Sequence, residues 1–303
     1  MIHAMKQSTR FQPDRILCPI DFSELSTLAL KYAAAGARAF SAKLTVLHAH
    51  PVELPPYFTR GESAQLLKQI NAAKRSARAA LAAHVRKILG PAAHTLSVDF
   101  VVVDQHPADA IRTAARKTGS DLIVMGTHGR RSGQRLLLGS VAENVIRQSR
   151  IPVFTMRQKE HEFIDPARAS AMPVLQHILC PVNFTPVARL ALRHAAVIAE
   201  QFHARLTVLC IAETGDQRRR SQTRNDLCAW TETVVPPAVA TTTVVRAGRA
   251  AEQIVTYAQD QQPDLIVIGA QPHGTLGAAL FGSTTELVLR GAPVPVLTVP
   301  LVA

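Results

Sequence analysis

Aromatic residues make up only 5% of this 303-residue chain, and a single tryptophan is among them. The chain is therefore poor in the interleaved aromatic and basic residues that proteins use to stack on single-stranded bases. Alanine, valine and leucine are frequent within the 47% hydrophobic content, a composition typical of helices packed on a parallel sheet. The length predicts about two domains.

Long apolar runs are missing as well. No stretch reaches the roughly 20 apolar residues of a membrane-spanning helix. The first residues contain no apolar block long enough for a secretory signal. We therefore expect a cytoplasmic protein with no membrane partner.

Cysteine is rare. The four cysteines lie far apart, form no CxxC pair, and three of them lie in or beside predicted strands; they are Cys18, Cys180, Cys210 and Cys228. This spacing favours buried thiols over disulfides or a zinc site. No cluster of titratable residues predicts a catalytic or metal-binding centre, so we expect neither.

Acidic residues are outnumbered by basic ones, and the formal net charge is +12. Such an excess raises nucleic acid as a candidate partner. Along the sequence, however, the basic residues are spread over amphipathic segments such as 68–78, which favours ordinary solvated helix faces. Nucleic acid is therefore not an expected partner. The densest cluster, Arg218 to Arg220 with Arg224, is predicted to lie in a loop.

One set of motifs occurs twice in the chain. Helical patterns lie between the repeated segments, so that strands and helices alternate as in a parallel α/β fold. The second copy is shorter in its middle, which leaves much of 51–89 without a counterpart. That insert, with a predicted helix from Ser63 to Leu89, is a candidate cover over the first half. The repeated segments are 15–23 and 177–185, 42–49 and 204–211, 120–126 and 263–269, and 151–155 and 294–298.

These repeats define the predicted architecture. The expected domains are 1–157 and 174–303, joined by a linker at 158–173. Each is expected to be an open parallel five-stranded sheet with helices on both faces, a Rossmann-like nucleotide-binding α/β fold. In such folds ligands bind at the carboxyl ends of the strands.

A glycine-rich segment follows the predicted strand 121–125 and leads into a predicted helix at 140–147. Glycine has no Cβ, so neighbouring backbone N–H groups can converge on an anion at a helix N-terminus. Ser140 is predicted to cap that helix, with Glu143 three residues later. The same glycine spacing is also found in plain surface loops.

Together these motifs resemble the universal stress protein family in its tandem two-domain form. Nucleotide-binding members carry a glycine, two residues, a second glycine, nine residues, and then glycine with serine or threonine. They also carry an aspartate after the first strand and a backbone contact to adenine after the second. This chain matches those positions with Gly126, Gly129, Gly139, Ser140, Asp21 and Ala49.

The resemblance implies that the first half binds ATP, together with Mg²⁺ or Mn²⁺. By resemblance, Asp21 would face the ribose and adenine, and N–H groups of 126–130 and 139–141 would hold the phosphates. The expected ATP-binding residues are Pro19, Asp21, Ala49, Met125, Gly126, His128, Gly129, Arg130, Gly139, Ser140 and Val141.

The second copy departs from this pattern. Asn183 replaces Asp21, and Pro272 replaces Gly129. Proline has no N–H to donate and its φ is fixed near −65°. We therefore expect tight nucleotide binding in the first half alone.

The implied function is a stress-response, ATP-responsive regulatory module that acts on unidentified protein partners. The chain has neither the P-loop of NTPases nor a GxGxxG motif after its first strand. Catalysis is therefore not expected beyond slow ATP hydrolysis. A scaffold that binds no nucleotide is the alternative. The resemblance also implies an intrachain pseudo-dimer through pairing of strands 151–156 and 294–299, and leaves a homodimer of the whole chain open.

Overall fold

The computed structural model describes residues 11–49, 51, 60–128, 138–157, 173–212, 217–270, 272–273 and 280–301. The elements of the first half are β1 (Arg15–Pro19), α1 (Glu24–Phe40), β2 (Lys43–Ala49), α2 (Arg60–Leu89), a 3₁₀ helix (Gly90–Thr95), β3 (Val98–Val103), α3 (Pro107–Thr118), β4 (Leu122–Gly126), α4 (Ser140–Gln148) and β5 (Val153–Met156). Those of the second half are β6 (His177–Val182), α5 (Pro186–Phe202), β7 (Arg205–Ala212), α6 (Gln217–Glu232), β8 (Thr241–Ala247), α7 (Ala250–Gln261), β9 (Leu265–Ala270), β10 (Pro272–His273), β11 (Leu280–Phe281), α8 (Ser283–Gly291) and β12 (Val296–Pro300).

Ten strands form one continuous sheet in the order β3-β2-β1-β4-β5-β12-β9-β6-β7-β8. The five strands of each half are parallel, and β5 meets β12 in antiparallel register with Phe154 opposite Leu297. The predicted α/β fold and the predicted pairing of the last strands are confirmed. Because the two halves run in opposite directions, their carboxyl ends lie at opposite edges of the sheet.

Side-chain hydroxyls strengthen the junction symmetrically. Thr155 donates to the carbonyl oxygen of Val296, and Thr298 donates to that of Val153, each at 3.1 Å. Both threonines are buried. The repeat thus extends to the hydrogen bonds that join the halves into a pseudo-twofold pair.

Helices cover both faces of the sheet. Strand side chains alternate between the faces, so that Ile16 and Cys18 enter one core while Leu17 enters the other. The first core contains α1, α2, α5 and α6, and the second contains α3, α4, α7 and α8. Each core extends through both halves of the chain.

Helix α2 confirms the long helix predicted for the insert of the first half. Leu81, Val85 and Leu89 are buried against the sheet, so the last third of the helix is fixed in the core. The side chains at 68–80 are mostly exposed, and residues 52–59 lie outside the described part. A covering role is therefore restricted to the portion of α2 before Leu81.

The prediction of a loop at Arg218 to Arg220 and Arg224 was wrong, because these residues form the first turns of α6. Arginine has a high intrinsic helix propensity. The fully buried Leu227 anchors the same helix to the sheet. Polar composition alone therefore misidentified a helix whose apolar contacts begin only in its second half.

A small apolar cavity of about 70 Å³ lies between α1 and α5 at the junction of the halves. Aromatic side chains from both halves line it, including Tyr32, Phe154 and Phe202. Gly36, in the middle of α1, forms part of its wall. The junction is thus incompletely packed next to a helical glycine.

Replacing Gly36 with alanine should raise the free energy of unfolding by about 1 kcal/mol, because alanine has the higher helix propensity. The added Cβ would meet Ile16 Cδ1 at 3.5 Å, an ordinary contact. Urea unfolding should show a higher midpoint at an unchanged slope. Gly291→Ala is the control, because its Cβ would lie 3.0 Å from Val255 Cγ2 and should give less gain. A lower midpoint for Gly36→Ala would contradict the prediction.

A buried histidine makes the stability of the second half depend on pH. His177 Nε2 lies 2.9 Å from Thr207 Oγ1, and Arg205 donates to His177 Nδ1 at 3.2 Å. Burial, followed by the nearby Arg205 guanidinium, lowers the pKa of His177 below its usual 6.5. The unfolded chain therefore takes up a proton at higher pH than the folded one.

Stability from His177 should be complete above pH 6.5 and should be lost as pH falls below it toward the lowered pKa. Urea unfolding between pH 7.5 and 5.5 measures this loss. His177→Gln, which does not titrate, should lose less stability across the same range. Parallel curves for the two proteins would contradict the prediction. His194, whose pKa is also lowered by burial, contributes equally to both curves.

Candidate functional site

The carboxyl ends of β1, β2 and β4 meet at one edge of the first half. Pro19 lies opposite Leu47, and Leu17 lies opposite Ile123. Asp21 follows β1 by two residues and Ala49 is the last residue of β2, so both lie at this edge. The chain adds β2 and β3 on one side of β1 and then β4 and β5 on the other side. Doubly wound folds bind ligands at the carboxyl ends of the strands where the strand order reverses in this way.

Asp21 lies in the turn between β1 and α1. Its Oδ1 accepts hydrogen bonds from the backbone N–H of Ser23 at 3.0 Å and from the Ser23 hydroxyl at 2.6 Å. Ser23 also caps α1 by accepting from the N–H of Ser26. The turn thus positions the half-buried Asp21 carboxylate at the edge of the sheet.

The same contact exists in the second half with an amide instead of a carboxylate. Thr185 donates its hydroxyl to Asn183 Oδ1 at 2.7 Å and caps α5 through the N–H of Ala188. The turn therefore does not require a negative charge. The charge of Asp21 therefore distinguishes the turn of the first half from that of the second.

Phe22, next to Asp21, has a left-handed backbone with φ of 63°. Its ring packs against the imidazoles of His48 and His84, with centroids 4.8 and 5.0 Å away. His48 donates from Nδ1 to the carbonyl oxygen of Ile20 at 2.9 Å. Because His84 belongs to α2, Phe22 connects that helix to the turn that holds Asp21.

Gly126 ends β4 directly beside the start of α1. A Cβ at this position would lie 2.7 Å from Leu25 Cγ, closer than real Cβ atoms come to other atoms. The second half repeats the arrangement, with a Cβ on Gly269 falling 2.9 Å from Val187 Cγ2. The absence of a side chain here thus serves the packing of α1 and α5 and is not evidence for a ligand.

Thr127 connects β4 to the start of α4. It is buried, its N–H donates to the carbonyl oxygen of Met156 at 3.0 Å, and its own carbonyl oxygen accepts from the N–H of Gly139 at 2.8 Å. The Thr127 hydroxyl donates to Met156 and accepts from His128 Nδ1 at 2.7 Å. These bonds place His128 and the first turn of α4 next to the end of β4.

Gly139, and not Ser140, is the N-cap of α4, so the predicted capping role of Ser140 was wrong. Gly139 is extended and its carbonyl oxygen accepts from the N–H of Glu143, which makes Ser140 the first helical residue. Glu143 pairs with Arg147 instead. Gly139 has no side chain with which to cap α4, and the first N–H groups of a helix have no intrahelical partner.

The described members of the expected ATP-binding set fall into three groups. Those at the edge of the sheet are Pro19, Asp21, Ala49, Gly126 and His128, and those at the start of α4 are Gly139, Ser140 and Val141. Met125 is a buried core residue beneath the edge. Gly129 and Arg130 lie outside the described residues.

Sequence inspection missed two residues that shape this edge, Phe22 and Thr127. Phe22 recurs as Phe184, which also has a left-handed backbone, with φ of 59°. Thr127 aligns with Ala270 in the second copy. A comparison of the two copies position by position would have marked the first as a turn residue and the second as specific to the first half.

The second half forms a short pair of strands after its motif glycine, Gly269. Pro272 and His273 pair with Phe281 and Leu280 in an antiparallel hairpin, and Phe281 immediately precedes Gly282, the N-cap of α8. Pro272, at the position of Gly129, thus belongs to a short strand. The two sequence departures from the motif, Pro272 and Asn183, thus occur in the same half.

The described side chains outside this edge offer no competing reactive centre. Burial raises the pKa of the Cys18 and Cys180 thiols far above the usual value, which makes them poor nucleophiles. The burial predicted for Cys18, Cys180 and Cys210 is confirmed, and Cys228 is half-buried. No group of three potential metal-binding side chains occurs among the described residues.

Helices long and apolar enough to cross a membrane do not occur in the described ranges.

Known proteins with similar sequences or structures are universal stress proteins. A universal stress protein of Methanocaldococcus jannaschii is 33% identical over 153 residues, which cover 49% of this chain and 84% of that protein. One from Mycobacterium bovis is 28% identical over 59% of this chain, and the match spans 61% of the mycobacterial protein. The crystal structure of a universal stress protein from Archaeoglobus fulgidus covers 97% of this chain and 98% of its own, with a TM-score of 0.67 at 20% identity.

The profile of the universal stress protein family matches residues 13–157 and again residues 175–300. The two matches contain β1 to β5 and β6 to β12 respectively. The chain therefore belongs to the universal stress protein family and carries two of its domains in tandem.

Proposed function

We propose that the first half binds ATP at the carboxyl edge of its sheet and that occupancy of this site regulates contacts with other proteins. One observation carries the proposal. A carboxylate that its turn does not require, Asp21, lies at the same edge as the N-terminus of α4, whose N-cap Gly139 has no side chain. The carboxylate suits hydroxyl donors of a ligand, and the helix N-terminus suits an anionic group of the same ligand.

The chemistry of a nucleoside triphosphate fits these groups. The Asp21 carboxylate is a strong acceptor for ribose hydroxyls. The first N–H groups and the dipole at the start of α4 favour phosphate oxygens. The backbone at Ala49, where β2 ends, would contact the edge of the base. Mg²⁺ or Mn²⁺ would enter with the phosphates, since such ions need few protein carboxylates when a triphosphate supplies oxygens.

Regulation would pass through Phe22. This residue follows Asp21 and packs on His84 of α2, so a ligand that shifts the turn changes the support of that helix. The described part of α2 before Leu81 is mostly exposed and could rearrange without disrupting the core. Slow hydrolysis is compatible with this site, but the proposed role does not depend on it.

Isothermal titration calorimetry of the intact protein with MgATP tests the proposal. We expect close to one equivalent of ATP. A hundredfold excess over Kd should add about 2.7 kcal/mol to the free energy of unfolding, which thermal melting detects. Two equivalent sites would overturn the assignment to one half. No heat and no shift in melting would favour a scaffold that binds no nucleotide.

A further inference from the structure

The fold collects the positive charge of the chain on one face. Helix α2 has seven basic residues and one acidic residue, for a net charge of +6, and α6 has four arginines and two acidic residues, for +2. Helices α1 and α5 add +1 each. The four helices of this face, which we call the basic face, thus carry +10 of the formal +12 of the whole chain.

The opposite face is neutral. Helix α3 carries +2 and α7 carries −2, while α4 and α8 each have one acidic and one basic residue. Three of its arginines also pair within their own helices: Arg112 with Asp109, Arg147 with Glu143 and Arg290 with Glu286. Charges that look scattered along the sequence are therefore segregated by the layers of the fold.

Three basic side chains of α2 point into solvent along one side of the helix. Lys68, Arg75 and Arg86 are exposed and form no ion pair with another described residue. At 100° per residue they lie within about 20° of one another, along about 27 Å of the helix. They form a line of three cations, which we call the α2 stripe.

Among the described residues, the helices of the basic face themselves expose no large hydrophobic side chain. Large exposed hydrophobic side chains in the described residues are Val174, Phe184, Leu287 and Leu301, and none of them lies on α1, α2, α5 or α6. Stable attachment to a membrane usually needs an apolar or lipid anchor besides basic charge. A protein partner usually buries aromatic or aliphatic residues at the centre of its interface.

We infer that the basic face binds duplex nucleic acid through its phosphate backbone, without reading base sequence. Recognition of this kind needs cations alone and no stacking aromatic residues. The face spans ten strands, or about 43 Å at 4.8 Å per spacing, which matches about 13 base pairs at 3.4 Å each. This inference rests on the charge of the helices and is independent of ATP binding.

Fluorescence anisotropy with a labelled 24-base-pair DNA of mixed sequence, between 50 and 300 mM NaCl, tests the inference. The intact chain should bind, with log K falling linearly against log salt concentration. The triple variant Lys68→Gln, Arg75→Gln, Arg86→Gln should flatten that slope by about 2.7, or 0.9 for each phosphate that is no longer neutralised. Glutamine keeps the helix propensity high, and thermal melting verifies folding.

The matched control removes the same charge from the neutral face through Arg112→Gln, Arg116→Gln and Lys117→Gln in α3. Its slope should change by less than one third as much. Equal effects of the two triple variants would overturn the inference, because net charge alone would then explain binding. Absence of DNA binding at 50 mM NaCl would overturn it too, as would binding only to vesicles containing phosphatidylserine or only to an acidic polypeptide such as polyglutamate.

Discussion

Asp21→Asn should weaken ATP binding about 10- to 100-fold and leave the free energy of unfolding nearly unchanged. The weakening corresponds to about 1.5 to 3 kcal/mol, the range for a hydrogen bond to a charged group. Stability should hold because the second half builds the same turn with Asn183, whose Oδ1 accepts the Thr185 hydroxyl at 2.7 Å. The substitution thus introduces the residue with which the second half already forms the same turn.

Calorimetry with MgATP and urea unfolding together test this separation of function from stability. Ser23→Ala is the informative control, because it removes the cap of α1 and should cost about 1 kcal/mol of stability. Asn183→Asp should create no second site, since the hairpin at Pro272 remains. If Asp21→Asn binds ATP as the intact chain does, Asp21 is a turn residue only and the ATP proposal loses its main support.

The sequence predicted the large features of the fold because they depend on repeated local patterns. The repeat of 15–23 at 177–185 marks β1 and β6 with the turns that follow them. The apolar periodicity of 25–40 and 187–202 marks α1 and α5. The pairing of β5 with β12 was predicted only from the family resemblance, because hydrogen bonding between strands far apart in the sequence leaves no local sequence pattern.

Details that depend on tertiary contacts were not predictable in this way. Gly126 looked like a residue that lets a ligand approach, whereas its neighbour is Leu25 of α1. Ser140 has the composition of a cap, but the backbone of Gly139 takes that position. Arg218 to Arg220 look like a loop until the buried Leu227 shows where α6 packs. In each case a residue distant in the sequence, or the backbone itself, decides the outcome.

Gly126→Ala should lower the free energy of unfolding by about 1 to 3 kcal/mol, the usual cost of overpacking. The new Cβ would lie 2.7 Å from Leu25 Cγ and 3.0 Å from Leu25 Cδ2. Leu25→Ala removes both atoms and leaves a contact of 3.4 Å to its Cβ. The double variant should therefore be more stable than the sum of the single effects predicts, by about 1 kcal/mol or more.

The second half supplies the matched control for this cycle. A Cβ on Gly269 would meet the backbone carbon and oxygen of Val187, each at 3.0 Å, besides the side chain. Val187→Ala should therefore rescue Gly269→Ala less than Leu25→Ala rescues Gly126→Ala. Urea unfolding of all the variants measures both couplings. Equal rescue in the two halves would contradict the assigned contacts.

The same double variant separates the two explanations for the motif glycine. If Gly126 is required only for packing against α1, the Gly126→Ala, Leu25→Ala protein should bind MgATP as tightly as Leu25→Ala alone. If the ligand itself needs the space, binding should fall although the fold has been restored. The first result would mean that this glycine is present in both halves because the fold needs it. Asp21 and the segment between Gly126 and Gly139 would then account for ATP binding in the first half and not in the second.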